Sequence, residues 1–212
     1  MRLQPASLQL RERTDDLHRR LDSTSILAGI VEPGLTVKDY ALALDGMARS
    51  WDACLAPLPP FEADFAHADS AWVDPDWYAL RSLLNEDLKS LGKTCFASPN
   101  GYVPKLEIDP GDRDQLAGMA YVLNGSRLGA SLIYRKLLEH ADPAIHHATR
   151  HFAAAASLGQ NWRAFKQRLD EELVTPSQIE AACLAAAMTY QVWLDMMVRL
   201  EVPRVPRISA RA

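Results

Sequence analysis

Helix-initiation signals recur along the whole chain, and they constrain its fold more than any other feature. The clearest runs from Thr175 to Gln178, where a capping residue precedes a first-turn proline and a glutamine at the third helical position. Asp74 and Asp142 also precede a proline, and Thr36 opens a sequence typical of a capping box. The alternating patterns of β-strands are almost absent. The sequence therefore predicts an all-α fold.

These signals divide the chain into a bundle of seven or eight helices. A length of 212 residues favours a single domain, which we place at residues 1–202, with a disordered tail at residues 203–212. Ser7 is expected to cap the first helix, and Gly92 is expected to end the third. The predicted helices are Ser7–Asp22, Thr36–Leu55, Asp74–Leu91, Asp112–His140, Asp142–Gly159, Asn161–Glu172 and Thr175–Glu201.

Charge and composition argue against several classes of partner. The net charge of −4 and the pI near 5.9 disfavour a general nucleic-acid or anionic-membrane binder, because both need a positive field. The 3 cysteines are far apart, so they predict neither a disulfide framework nor a metal knuckle. No signal peptide is evident, and the most apolar stretch, Ala181–Met188, is too short for a membrane span. We expect a cytoplasmic protein with no nucleic-acid or membrane partner.

Gly125 and Gly129 lie inside the longest predicted helix, where each costs about 1 kcal/mol relative to alanine. Their spacing places both on one face of that helix. Two explanations are open: another helix packs closely against the pair, or a flat ligand lies against the bare backbone.

His18 lies on the half-buried face of the first helix. It could be a core histidine or a metal ligand. Asp22, one turn later, could hold the free ring nitrogen and orient a metal-bound imidazole. Arg11, two turns earlier, could meet an anionic edge of the ligand. Such a set suits a metal cofactor that carries carboxylates, such as haem.

Three stretches of the sequence resemble the haem oxygenase family. Arg11–Leu21 resembles the pattern of the first helix in that family, and Ala120–Ala130 resembles its distal-helix motif in the form found in the bacterial branch associated with bacteriophytochromes. Asn161–Met197 resembles the C-terminal helix pair. The stretches occur in family order, and the resemblance implies a helical bundle with haem between the first helix and a long distal helix.

The resemblance assigns the proximal side of the haem. His18 would be the iron ligand, and Asp22 its hydrogen-bonded partner. Arg11 matches a basic position that contacts the haem propionates. Lys166 and Arg163 lie near further propionate-binding positions of the penultimate helix.

The resemblance also assigns the distal side. Gly125 and Gly129 would bring backbone close to the iron-bound oxygen, and Ser126 or an ordered water would supply a proton. Ser126 replaces an aspartate that many members have, as it does in the bacterial branch. Ala130 replaces a second consecutive glycine, and Arg127 is unusual within the motif.

The resemblance further implies a reaction and its partners. Family members open haem, which is both substrate and cofactor, with O2 and electrons to give biliverdin, carbon monoxide and Fe(II). The external reductant would be a ferredoxin or a flavin-dependent reductase, because this chain has no GxGxxG motif and no cysteine cluster. A bacteriophytochrome could receive the product as its chromophore. The alternative that stays open is a protein of the same fold that binds haem or biliverdin without turnover.

Two other groups of residues have weaker patterns. His147 and His151 are four residues apart and have the zinc-binding spacing, but no HExxH frame accompanies them, and a solvated polar face is expected there with His140 and His146. Aromatic and methionine residues at helical spacing near the C-terminus predict core packing rather than a cofactor site. These are Trp162, Tyr190, Trp193, Met196 and Met197.

Overall fold

Helices make up most of the described part of the fold. The computed structural model describes residues 3–59, 72–93 and 104–201. Within these ranges there is no β-strand, which confirms the all-α prediction. The predicted tail at residues 203–212 lies outside the described residues. The helices are α1 Ala6–Asp22, α2 Ser25–Ala28, α3 Val37–Leu55, α4 Asp76–Ser90, α5 Arg113–Gly125, α6 Ala130–Leu138, α7 Pro143–His146, α8 Arg150–Leu158, α9 Trp162–Glu172 and α10 Pro176–Leu200.

The long helix α10 forms the centre of the bundle. It packs against α5, α1 and α3, and it buries residues along most of its length. In length and apolar composition α10 could cross a bilayer, but 61% of its most apolar window is buried inside the bundle. That burial is the pattern of a core helix.

Local capping sets the helix ends that the sequence predicted best. Thr175 and Gln178 form the expected capping box at the start of α10. The Thr36 hydroxyl accepts a hydrogen bond from the backbone N–H of Asp39 at the start of α3. Gly92 has a φ of +65° and closes the C-terminus of α4, a conformation that favours glycine.

The N-terminus of α1 is capped from another helix. The prediction that Ser7 caps α1 is wrong, because the helix already begins at Ala6. Instead, the backbone N–H and the hydroxyl of Ser7 both donate to the carboxylate of Asp170 in α9, at 2.7 and 3.0 Å. This contact joins two segments far apart in sequence.

The helix predicted over Asp142–Gly159 is two helices, α7 and α8. The residue at the N-cap of α8, Thr149, makes no side-chain capping bond. Asp87 of α4 provides the cap, since its carboxylate accepts the backbone N–H groups of Arg150 and His151 at 3.0 and 2.9 Å. A tertiary contact therefore fixes where α8 begins.

The single helix predicted over Asp112–His140 is also wrong. Helix α5 ends at Gly125, a 3-10 segment covers Ser126–Leu128, and α6 begins after Gly129. We call Gly125–Gly129 the distal turn. The Ser126 hydroxyl donates to the carbonyl of Leu123 at 2.8 Å, and glycine and serine together favour a break in a helix.

Candidate functional site

A cleft with two compartments lies between α1 and the distal turn. The inner compartment has a volume of about 700 Å³ and mostly apolar walls. The outer compartment has a volume of about 430 Å³ and is bordered by α1, α5 and α9. His18, Gly125, Leu128 and Tyr190 line both compartments, which therefore adjoin one another. His18 and the distal turn thus both border the junction of the two compartments.

His18 is held at this junction by two contacts. Its Nδ1 atom lies 3.2 Å from a carboxylate oxygen of Asp22, the partner that the sequence predicted. Its ring meets the ring of Tyr190 edge-on, with the centroids 5.8 Å apart. Nε2 has no hydrogen-bond partner within the described ranges. The side chain is 54% exposed, more than the predicted half-buried position would give, because it faces the cleft.

The distal turn presents bare backbone to the cleft. A Cβ atom on Gly129 would meet no atom within 4 Å. A Cβ atom on Gly125 would have an ordinary contact of 3.5 Å with the Trp162 ring. The explanation that another helix packs closely against this pair is therefore wrong. The second explanation, a ligand that lies against the backbone, stays a prediction.

Ser126 lies in the middle of this turn and lines the inner compartment. Because its hydroxyl donates to the Leu123 carbonyl, the proton is engaged by the backbone. Its oxygen lone pairs can still accept a hydrogen bond from the cleft.

Cations border the outer compartment. Arg11 of α1 and Lys166 of α9 line it, and their predicted contact with carboxylates stays a prediction. Arg163 is exposed on α9 and is not among the residues that line either compartment. The structure therefore brings two of the three predicted cations to the cleft.

Aromatic residues that were predicted as core form part of the cleft wall. Tyr190 and Trp193 of α10 line the inner compartment, and Trp162 lines the outer one. Met196 and Met197 are buried in the core as predicted. Helical spacing alone could not distinguish a residue of the cleft wall from a core residue, because apolar side chains occupy both kinds of position.

His151 is a second histidine of the inner compartment, and the sequence missed it. The prediction that it shares a solvated helical face with His147 is wrong, since His151 lies in α8 with 4% exposure and His147 precedes that helix. Its Nδ1 atom lies 2.9 Å from the carbonyl oxygen of Leu80, so Nδ1 carries the proton. Burial lowers the pKa of His151 to about 4, and the ring is neutral at pH 7. Within the described ranges, no three metal-binding side chains are grouped together.

Arg127 is a buried cation in the distal turn. Its side chain is 6% exposed, and its Nη1 atom donates to Asp74 at 2.8 Å. Its Nε and Nη2 atoms are buried and have no hydrogen-bond partner in the described part of the chain. Arg127 lines the inner compartment, whereas Asp74 does not and is 27% exposed. The sequence indicated only that an arginine is unusual here.

The fold is similar to that of two solved haem oxygenase structures. The chain matches the NO- and CO-bound haem oxygenase of Neisseria meningitidis with a TM-score of 0.66 and 20% identity, over 93% of this chain and 92% of that one. It matches the haem oxygenase of Leptospira interrogans with a TM-score of 0.61 and 15% identity, over 92% of this chain and 98% of that one. No curated protein sequence matches the chain.

The amino-acid sequence also matches a protein-family model. The family model described as heme oxygenase matches residues 4–199, which is nearly the whole chain. That range includes α1 with His18, the distal turn and the last two helices. The match is consistent with the geometry of the cleft, and this protein belongs to the haem oxygenase family.

Proposed function

We propose that this protein cleaves haem with O2 and external electrons to give biliverdin, carbon monoxide and Fe(II). The observation that carries the proposal is that His18 and the two glycines of the distal turn, which carry no side chains, border the same cleft. A flat, iron-containing ring between them would have a nitrogen ligand on one face and backbone on the other.

Three properties of the cleft fit haem. His18 offers Nε2 while Asp22 holds Nδ1, the arrangement that orients a metal-bound imidazole. The walls of the inner compartment are mostly apolar, as the body of a porphyrin requires. Arg11 and Lys166 stand at the outer compartment, where they can pair with two carboxylates.

The residues on the proximal side bind and orient the substrate. Haem supplies the iron at which O2 is activated. Asp22 fixes the tautomer of His18, and Tyr190 restricts the rotation of its ring. A neutral imidazole donates less electron density to iron than a cysteine thiolate does. Because thiolate ligation favours cleavage of the O–O bond, a histidine ligand suits the proposed reaction better.

The residues on the distal side control access and protons. Because Gly129 carries no side chain, the wall leaves room above the ring and offers no competing base. Ser126 would hold an ordered water through its oxygen lone pairs, since its own proton is bound to Leu123. That water is the proton source we propose.

The cations at the outer compartment set the orientation of the ring. Arg11 and Lys166 would bind the propionates and direct the opposite edge of haem into the apolar inner compartment. Arg163, one turn before Lys166 on α9, would contribute only to the positive field at the opening.

The electrons must reach the site from another protein. The sequence lacks a flavin or nicotinamide motif and a cysteine cluster, so we propose a ferredoxin or a flavin-dependent reductase as the donor. A bacteriophytochrome is the proposed recipient of the biliverdin. The location that we propose is the cytoplasm.

Reconstitution with hemin tests the proposal. Wild-type protein should give the Soret band of a histidine-ligated haem. With O2 and a reductase–ferredoxin system, that band should disappear while a broad red biliverdin band grows and carbon monoxide is released. His18→Ala should lose the native ligand spectrum. His147→Ala is the matched control, because His147 is an exposed histidine outside the cleft.

The outcomes separate turnover from binding. A stable Soret band in the presence of O2 and several classes of electron donor would contradict the oxygenase and favour the haem-binding alternative. An unchanged spectrum in His18→Ala would refute the proximal assignment.

A further inference from the structure

Arg127 and Asp74 form an ion pair in which only the arginine lines the cleft. Arg127 lines the inner compartment with 6% exposure, and Asp74 lies outside it with 27% exposure. The positive member is therefore nearer to the cleft, and the negative member is nearer to solvent. Water screens the exposed carboxylate more than the buried guanidinium.

Arg127 also has unused hydrogen-bonding capacity. Nη1 is bound to Asp74, while Nε and Nη2 are buried without a partner among the described residues. A buried guanidinium is costly when two of its nitrogens lack a hydrogen-bond partner, and a negative group close to those nitrogens would lower the cost. Asp74 is the one hydrogen-bond and ion-pair partner of this side chain within the described residues.

We propose that Arg127 makes the distal side of the cleft electropositive and favours negatively charged ligands at the haem iron, with Asp74 limiting the strength of this field. The proposal rests on the proposed haem site. It gives this unusual residue of the distal turn an electrostatic role: a positive potential stabilises negative charge that develops on an iron ligand. The same potential stabilises the reduced iron relative to the oxidised iron.

Ligand binding to the ferric hemin complex tests the proposal. Azide, an anion at pH 7, is compared with imidazole, a neutral ligand, in wild-type protein and in Arg127→Met, Arg127→Lys and Asp74→Asn. The ratio of the two dissociation constants removes changes in the shape of the cleft that affect both ligands. The midpoint potential of the iron provides a second measurement.

The two charge removals should act in opposite directions. Arg127→Met should weaken azide relative to imidazole by about fivefold and lower the midpoint potential, because one partly screened charge is lost. Asp74→Asn should strengthen azide relative to imidazole and raise the potential. Arg127→Lys keeps the charge and should stay close to wild type. A purely structural ion pair would instead give the same change in both single variants.

The possible results decide between the proposals. Equal azide preference in wild type, Arg127→Met and Asp74→Asn, with normal hemin binding, would overturn the role of Arg127 and leave the haem site intact. Failure of wild-type protein to bind hemin would overturn both. If Arg127→Met does not fold, the opposite-signed result expected for Asp74→Asn still decides, and an unchanged ratio there contradicts the proposal.

Discussion

The backbone of Gly118 in α5 lies directly against the carbonyl of Ala182 in α10. A Cβ atom on Gly118 would stand well inside 3.0 Å of that carbonyl, a distance that real Cβ atoms essentially never show. Gly129 is the opposite case, because a Cβ atom there would meet nothing within 4 Å. One glycine lets two helices approach, and the other keeps the wall of the cleft free of side chains.

The two glycines should therefore respond differently to alanine. Gly118→Ala forces the two central helices apart and should lower the free energy of unfolding by about 1–3 kcal/mol. Gly129→Ala should change it by less than about 1 kcal/mol. It should weaken hemin binding or slow biliverdin formation, because the methyl group enters the cleft. Denaturant unfolding and hemin titration measure the two effects. A large loss of stability in Gly129→Ala would contradict the assignment.

Asp22 should affect haem through His18. Asp22→Asn removes the carboxylate that orients the imidazole and should weaken hemin binding by about tenfold, the usual scale for such a partner of a metal ligand. Asp16→Asn is the matched control, since Asp16 lies on the same helix, pairs with Arg20 at 3.9 Å and does not line the cleft. Equal effects of the two variants on hemin affinity would rule out an orienting role for Asp22.

The cations of the outer compartment should recognise carboxylates. Arg11→Gln and Lys166→Gln should each weaken hemin binding by about fivefold, which corresponds to about 1 kcal/mol for a partly exposed charge pair. Neither change should matter for the dimethyl ester of hemin, whose carboxylates are blocked. Arg163→Gln should have little effect, because that residue does not line the cleft. Equal losses for hemin and its ester would argue against a contact with the propionates.

His151 should make stability depend on pH. Its pKa is about 4 in the folded protein because of burial, against about 6.5 in an unfolded chain. Between these values the unfolded chain binds a proton that the folded protein does not. The free energy of unfolding should therefore fall as the pH drops from about 6.5 towards 4, by up to about 3 kcal/mol from this group.

The variant His151→Phe isolates this contribution. Its stability at pH 7 is expected to be lower, because the Leu80 carbonyl loses its donor. The decline with acid should nevertheless be shallower than in the wild type. Burial raises the pKa of Asp87, so this carboxyl group increases the free energy of unfolding as the pH falls towards its ordinary pKa. Asp87 is present in both proteins. Parallel pH profiles of denaturant unfolding would show that His151 is not the titrating group.

The sequence by itself determined those features whose hydrogen bonds close within a few residues. The capping box from Thr175 to Gln178, the left-handed Gly92 and the contact between His18 and Asp22 all belong to this class. Each depends on groups about one helical turn apart, so spacing along the chain is sufficient information.

The tertiary structure alone decided the features that join distant segments. Asp87 caps α8 and Asp170 caps α1, and neither cap can be read from the helix that it completes. The wall of the cleft likewise gains His151 from a segment whose local pattern predicted a solvated polar face, and the burial of Arg127 beside Asp74 joins two segments far apart in sequence. Whether a helical glycine meets another helix, as Gly118 does, or open space depends on what packs opposite it. That relationship is absent from the local sequence, because it is set by the folding of the whole bundle.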